Sequence, residues 1–476
     1  MASEAGRRTR TRTLFVSRGD IRRTAQEVTL SKDTNANDPS HTPRREPASF
    51  SRRGLLLSSA ALGTAALGTA IRSAFPSGAF AQAAGPEVNK AIFGYIALTD
   101  ASPLIIAKEK GFFAKYGLPE VDVAKQASWG TIRDNLVLGG ASGGIDAAHI
   151  LTPMPYLIAS GRVTQNNQPV PMYVLSRLNL DGQSISIAKS HLPTGAKLDA
   201  GALRETFKKM IAGGKEVKCA VTFPGGTHDL WLRYWMAAGG IDPDKDVQTI
   251  TVPPPQMVAN MKVAAMEAFC VGEPWNAQLV NQGIGYTALT TGELWNKHPE
   301  KSFAVRADWA DKNPKATLAA IMAIQEAQMW CDKDENKVEM CQIVAKRAWF
   351  NVPVEDILGR AQGTIVYGDG REVKASPHLM KFWRDHASYP FQSHDLWFIT
   401  EDMRWGYLPP GTDAKALIGK VNREDLWREA AKALSVPADQ IPASTSRGKE
   451  TFFDGKVFDP AAPETYLASL SIKKIA

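Results

Sequence analysis

The side chains of this chain that could do chemistry fall in a few short runs. In Thr222-Phe223-Pro224-Gly225-Gly226-Thr227-His228, two glycines stand just ahead of an apolar helical pattern. Glycine lets the backbone approach a ligand, and the first turn of a helix leaves four N–H groups unpaired under partial positive charge. A small anion is the natural partner, with His228 as an added imidazole donor. Plain helix entry with Thr227 as the cap explains the same letters. Gly140-Ala141-Ser142-Gly143-Gly144 spells G-x-S-x-G, the strained turn that presents a hydrolase serine when a strand precedes it and a helix follows. Residues 131–138 before it read as a helix, so a glycine-rich turn is the better reading. Asp146 and His149 lie close by, but His149 stands in an apolar stretch and reads as a packed, hydrogen-bonded imidazole.

No phosphate-binding GxxxxGK[ST] run, HExxH pair or EF-hand loop occurs, and no histidines beyond residue 81 are four apart. No metal and no cofactor is expected. The four cysteines, Cys219, Cys270, Cys331 and Cys341, include no Cys-x-x-Cys pair, which excludes a zinc ribbon or thioredoxin-type site. A Cys331–Cys341 disulfide and four free buried thiols both stay open.

The net charge of +7 over 476 residues suggests a polyanion partner until it is mapped. Thirteen Lys/Arg and six Asp/Glu fall in residues 1–81, and the rest of the chain holds 43 of each. The excess therefore belongs to one N-terminal segment, and a nucleic-acid surface loses its support. Within that segment, Arg52-Arg53 precedes the apolar run Gly54–Ala70, and Ala79-Phe80-Ala81 follows. A basic region, an apolar region and small residues spaced A-x-A form an export signal, here with a twin-arginine pair. The competing membrane anchor is weakened by the Ala, Gly, Ser and Thr content of the run. No second apolar run of 18 or more residues occurs, which predicts a soluble remainder.

These groups need elements to position them. Residues 90–98, 121–125, 171–176, 184–188, 216–222, 247–252 and 268–271 read as strands. Residues 101–110, 131–138, 229–238 and 256–268 read as helices between them. That rhythm indicates α/β layers. Beyond about residue 310 the pattern is mostly helical, opening at Asn313-Pro314.

Several longer runs carry a resemblance. Phe93–Asp100, Gln126–Thr131, His149–Pro155, Phe223–Leu230, Val271-Gly272-Glu273-Pro274-Trp275-Asn276 and His298-Pro299-Glu300-Lys301 resemble the nitrate-binding proteins of ABC importers over nearly all of residues 90–410. The resemblance implies an α/β, two-lobed, periplasmic-binding-protein-like C-clamp of type II. Each lobe would be a mixed sheet flanked by helices, with a helical C-terminal extension. The parts would be a signal segment at 1–81, the first part of lobe 1 at 82–180, lobe 2 at 181–285, and at 286–476 the return to lobe 1 with the helical C-terminal region.

It implies that Trp129, Gln183, His228 and Lys301 contact the ligand and that Pro254 and Val271 line its pocket. Lys301 would oppose the charge of nitrate, while Gln183, His228 and the Trp129 indole N–H would donate hydrogen bonds, a donor-only lining. A sister group binds bicarbonate with calcium and is implied to carry an acid at the position of Lys301. An ammonium cannot ligate calcium, so nitrate is favoured, with nitrite as a second ligand. The expected partners are the permease of an ABC importer and the twin-arginine export machinery, with the protein a monomer in the periplasm, or associated with the inner membrane. Three alternatives stay open: a cytoplasmic nitrate-responsive regulator, a bicarbonate-binding relative, and an enzyme using Ser142.

Overall fold

The computed structural model describes residues 85–475. The segment read as an export signal lies outside the described residues.

Ten strands form two five-stranded sheets. Strands β1 (Lys90–Tyr95), β2 (Glu120–Lys125), β3 (Ala147–Leu151), β4 (Met172–Arg177) and β10 (Lys301–Arg306) form the first, in the order β2-β1-β3-β10-β4. Strands β5 (Gln183–Ala188), β6 (Lys218–Val221), β7 (Gln248–Thr251), β8 (Ala268–Gly272) and β9 (Gly285–Thr290) form the second, in the order β7-β6-β8-β5-β9. In each sheet three neighbouring strands run parallel, and a fourth, β10 or β5, pairs antiparallel with both of its neighbours. The sheets are thus mixed, as the resemblance implied. The chain leaves the first sheet after β4 and returns to it at β10.

The sequence explains the local structure. Strands β3, β8 and β9 are buried along their whole length, as expected of near-continuous apolar runs covered on both faces. Edge strand β2 alternates exposed Glu120 and Asp122 with buried Val121 and Val123, so only one of its faces is covered. Helix α1 (Ser102–Glu109) opens with Pro103 in its first turn, and Gly111 follows its end at φ 74°. Helix α2 (Trp129–Leu138) is capped by Ser128, whose hydroxyl accepts from the Thr131 N–H at 3.1 Å. Helix α3 (Thr227–Ala238) is buried at nearly every position, which suits a helix held between layers. After β10 the chain is mainly helical, including α4 (Pro314–Asp332) and α5 (Gln392–Arg404), with two short ribbons at 365–373 and 450–458.

One expectation shifts, and one strand was not foreseen. The helix read over 256–268 shortens to a 3-10 turn and a helix over Met257–Lys262, because the chain turns left-handed at Ala264, φ 54°. Lys301–Arg306 is a central strand although its sequence, KSFAVR, carries only three apolar residues. One contiguous apolar core runs behind both sheets, and a satellite around Tyr389, Phe391 and Trp427 lies under the C-terminal helices. All four cysteines are free and buried, which resolves the open choice in favour of thiols. No helix among the described residues is long and apolar enough to cross a membrane.

Candidate functional site

The Gly140–Ser142 run is a 3-10 turn between α2 and β3, with Gly139 and Gly143 at φ 80° and 88°. Its order is helix, turn, strand, the reverse of a nucleophile elbow. Ser142 is exposed.

The polar centre lies elsewhere, where the two sheets meet. Lys301, the first residue of β10, is fully buried. Its Nζ lies 3.0 Å from Asp100 Oδ2 and 2.6 Å from Glu300 Oε1. Gln183, the first residue of β5, donates through Nε2 to Asp100 Oδ2 at 3.0 Å, and its Oε1 lies 2.9 Å from His228 Nε2. His228 Nε2 is also 3.2 Å from Glu300 Oε1 and 3.3 Å from Lys301 Nζ. Two acceptors at one nitrogen mark Nε2 as the protonated one, so Nδ1 accepts from the Thr222 hydroxyl at 2.6 Å. His149 Nε2 donates to Asp100 Oδ1 at 2.5 Å, and its Nδ1 accepts from the Ile96 N–H. The ring reads as packed and hydrogen-bonded, as expected, but its partner is a member of the cluster.

Trp129, the first residue of α2, completes the group. Its ring centroid lies 5.7 Å from Lys301 Nζ and 5.2 Å from the His149 ring. It is fully buried, and its indole N–H has no partner among the described residues. A buried, unpaired donor beside a cluster of charges points to an acceptor ligand. Among the described residues no other buried tryptophan N–H lacks a partner. Trp295 and Trp397 pack against Trp231, and Trp275 donates to the Ala97 carbonyl.

The sequence reading missed four contributors. Asp100 and Glu300 bring two carboxylates into a lining expected to be donor-only, and that expectation is corrected. For Asp100 a signal was present, since an acid inside an apolar run must be paired when buried; Glu300, between Pro299 and Lys301, carried no such signal. Thr227 does not cap α3: its hydroxyl donates to Glu300 Oε1 at 2.6 Å, while the Trp231 indole donates to Glu300 Oε2 at 3.1 Å. Gly272 pairs with Gln183 across β8 and β5. A Cβ there would come within 2.6 Å of Gln183 Oε1 and 3.2 Å of Asp100 Oδ2, so only glycine leaves the cluster its space. Val271 is buried one residue earlier in β8, and Pro254 is buried in the turn after edge strand β7. None of the hydrogen bonds of the cluster reaches the Pro254 or Val271 side chain.

The charges hold one another in place. Burial raises the Asp100 carboxyl, but Lys301 and His149 beside it prevail and hold it at about 2. Burial also works against the Glu300 carboxylate, and Lys301 and His228 outweigh it, keeping Glu300 well below the usual range. Lys301 is raised because Asp100 and Glu300 overcome its own burial. Burial lowers both His228 and His149, so both imidazoles are neutral near pH 7. Among the described residues no group of three His, Cys, Asp or Glu is arranged to hold a metal ion.

Two similar mixed sheets, with a closed polar centre built from both, define a two-lobed solute receptor of the periplasmic-binding-protein class. The profile of the NMT1-like family matches residues 84–345. The nitrate/nitrite binding protein NrtA of Synechocystis sp. is 63% identical over 391 residues, which cover 82% of this chain and 86% of that protein. The bicarbonate-binding protein CmpA of Synechococcus elongatus is 45% identical over 397 residues, 82% of this chain and 88% of that protein. The crystal structure of the periplasmic nitrate-binding protein NrtA from Synechocystis matches with a TM-score of 0.80 at 62% identity, covering 82% of this chain and all of that one. The chain belongs to the NMT1-like family.

Proposed function

We propose that this protein is an exported receptor that captures nitrate, and nitrite as a second ligand, between its two lobes and delivers it to an ABC-type permease. One observation carries this reading: Trp129 and Lys301 from the first sheet meet Gln183 and His228 from the second around a fully buried ammonium and an unpaired indole N–H. A ligand held there touches both lobes, so its binding free energy favours the closed state. Nitrate is planar, with one charge over three oxygens, and suits several directional donors around one cation. Lys301 supports nitrate over a bicarbonate–calcium pair, because its ammonium takes the point between Asp100 and Glu300 where a cation would sit.

The ligand roles of Trp129, Gln183, His228 and Lys301, and the lining roles of Pro254 and Val271, belong to this reading. So does the division into lobes near residues 180 and 285, which the exchange of strands between sheets supports. Nothing is chemically transformed. A periplasmic site of action, export through the twin-arginine route, association with the inner membrane and a monomeric state complete the proposal. The regulator and the enzyme draw no support from any feature of the site.

Calorimetric titration with nitrate, nitrite, and bicarbonate with and without calcium tests it. One-to-one nitrate binding without calcium is expected; silence with nitrate, or a calcium-dependent bicarbonate signal, would overturn it. For export, replacing Arg52 and Arg53 by lysine should leave the protein in the cytoplasm on cell fractionation, and unchanged export would remove the twin-arginine assignment.

A further inference from the structure

The cleft contains more negative than positive charge. Asp100 and Glu300 face the single ammonium of Lys301, and all three are fully buried. The neighbouring buried cations are already held by other carboxylates. Asp229 is bound by Arg233, Asp181 by Lys381, Glu273 by Arg360 and Asp395 by Arg177. None of them supplies the missing positive charge. A monovalent anion arriving alone would add a second uncompensated negative charge in a region without solvent, where such a charge is costly.

We propose that the cleft takes up its anion together with one proton, and that Asp100 and Glu300, by setting the charge of the cleft, restrict that anion to a monovalent one. The proposal rests on the anion-binding reading above. Entry of anion and proton as a pair leaves the charge of the cleft unchanged. A dianion such as sulfate needs two protons for the same balance.

The geometry assigns the proton to His228. Its Nε2–H already points at Gln183 Oε1 and Glu300 Oε1, and its Nδ1 lies 2.6 Å from the Thr222 hydroxyl. A hydroxyl can turn from donor to acceptor, so both nitrogens of a protonated His228 have oxygen partners. His149 lacks this freedom, because its Nδ1 faces the Ile96 N–H. The charged groups facing His228 are Lys301 from β10, Glu300 just ahead of that strand, and Asp100 from the turn after β1, with His298 and His149 behind them. Burial and Lys301 keep His228 neutral near pH 7, and an added anion opposes both influences.

The test is calorimetry of the full chain with potassium nitrate, near neutral pH, in buffers of differing ionisation enthalpy. The slope of observed heat against buffer enthalpy should correspond to about one proton taken up per nitrate, and affinity should fall by up to roughly tenfold per pH unit above neutrality. Clear nitrate binding with zero slope would overturn the proton while leaving the anion reading intact. No nitrate heat in any buffer would overturn both. Potassium sulfate should give no heat, and sulfate binding comparable to nitrate would overturn the monovalent restriction. Glu300→Gln should bring the slope towards zero and flatten the pH dependence; Asp100→Asn, whose partner His149 remains paired through Ile96, should do the same. Either variant binding nitrate with an unchanged slope would remove the carboxylates from the linkage.

Discussion

The two sheets have the same strand arrangement and bring opposite chemistry to the cleft. In each, the antiparallel strand opens with a side chain of the buried polar cluster, Lys301 on β10 and Gln183 on β5. In each, a helix begins with another, Trp129 on α2 and His228 in the first turn of α3. Yet the charges, Asp100, Glu300 and Lys301, all come from the first sheet and its connections, whereas the second supplies only neutral groups: Gln183, His228, Thr222 and the space beside Gly272. One lobe thus keeps its ions paired with one another, and without an anion the other meets them with hydrogen bonds from neutral groups. The second lobe then brings no permanent ion into the cleft, and the charge on His228 arises only together with the anion that offsets it.

This contrast can be broken from either side. Lys301→Ala should have the largest effect, weakening nitrate binding by roughly 2–4 kcal/mol, because it leaves an anion and two carboxylates without a cation. Calorimetry would show it, and wild-type affinity would remove Lys301 from the site. On the neutral side, His228→Ala or Gln183→Ala should cost about 1.5–3 kcal/mol of binding, the scale of a hydrogen bond to a charged group, with a smaller loss in thermal midpoint than Lys301→Ala.

Acid should discriminate between the lobes through stability. The Asp100 carboxyl is held at about 2, against roughly 3.9 in an unfolded chain. Its stabilisation is therefore complete above the unfolded value and is lost as pH falls from about 4 towards 2, on the order of 2 kcal/mol. Thermal melts across that range should fall steeply for wild type and less so for Asp100→Asn. The smallest effect is expected from Trp129→Phe, which keeps the ring and removes the N–H, at about 1 kcal/mol of nitrate affinity. A larger loss would mean that the indole positions Lys301 as well as the ligand.

Much of the fold was legible because its signals are local. The Ser128 cap, the Pro103 start and the glycines after α1 and α2 act within one turn of chain, and those helices fall where they were read. Where a tertiary contact overrides the local pattern, the reading slipped: Thr227 resembles a cap but is turned to Glu300. The strand over 301–306, held between β3 and β4, was not read from the sequence at all. The four expected ligand contacts came from resemblance and do converge in space. Composition alone gave no reason to join Lys301 to Trp129, 172 positions away.

The sequence by itself determined the segregation of positive charge into residues 1–81, the absence of familiar metal and phosphate motifs, the α/β rhythm and the identity of every donor. Those properties are carried by residue type and short spacing. Only the tertiary structure decided that Asp100 and Glu300 face Lys301, that Gly272 keeps Gln183 clear, and that the Trp129 N–H has no partner among the described residues. The charge of a buried site depends on which distant side chains meet without water, and that is set by how two sheets close on each other, not by any local run of residues.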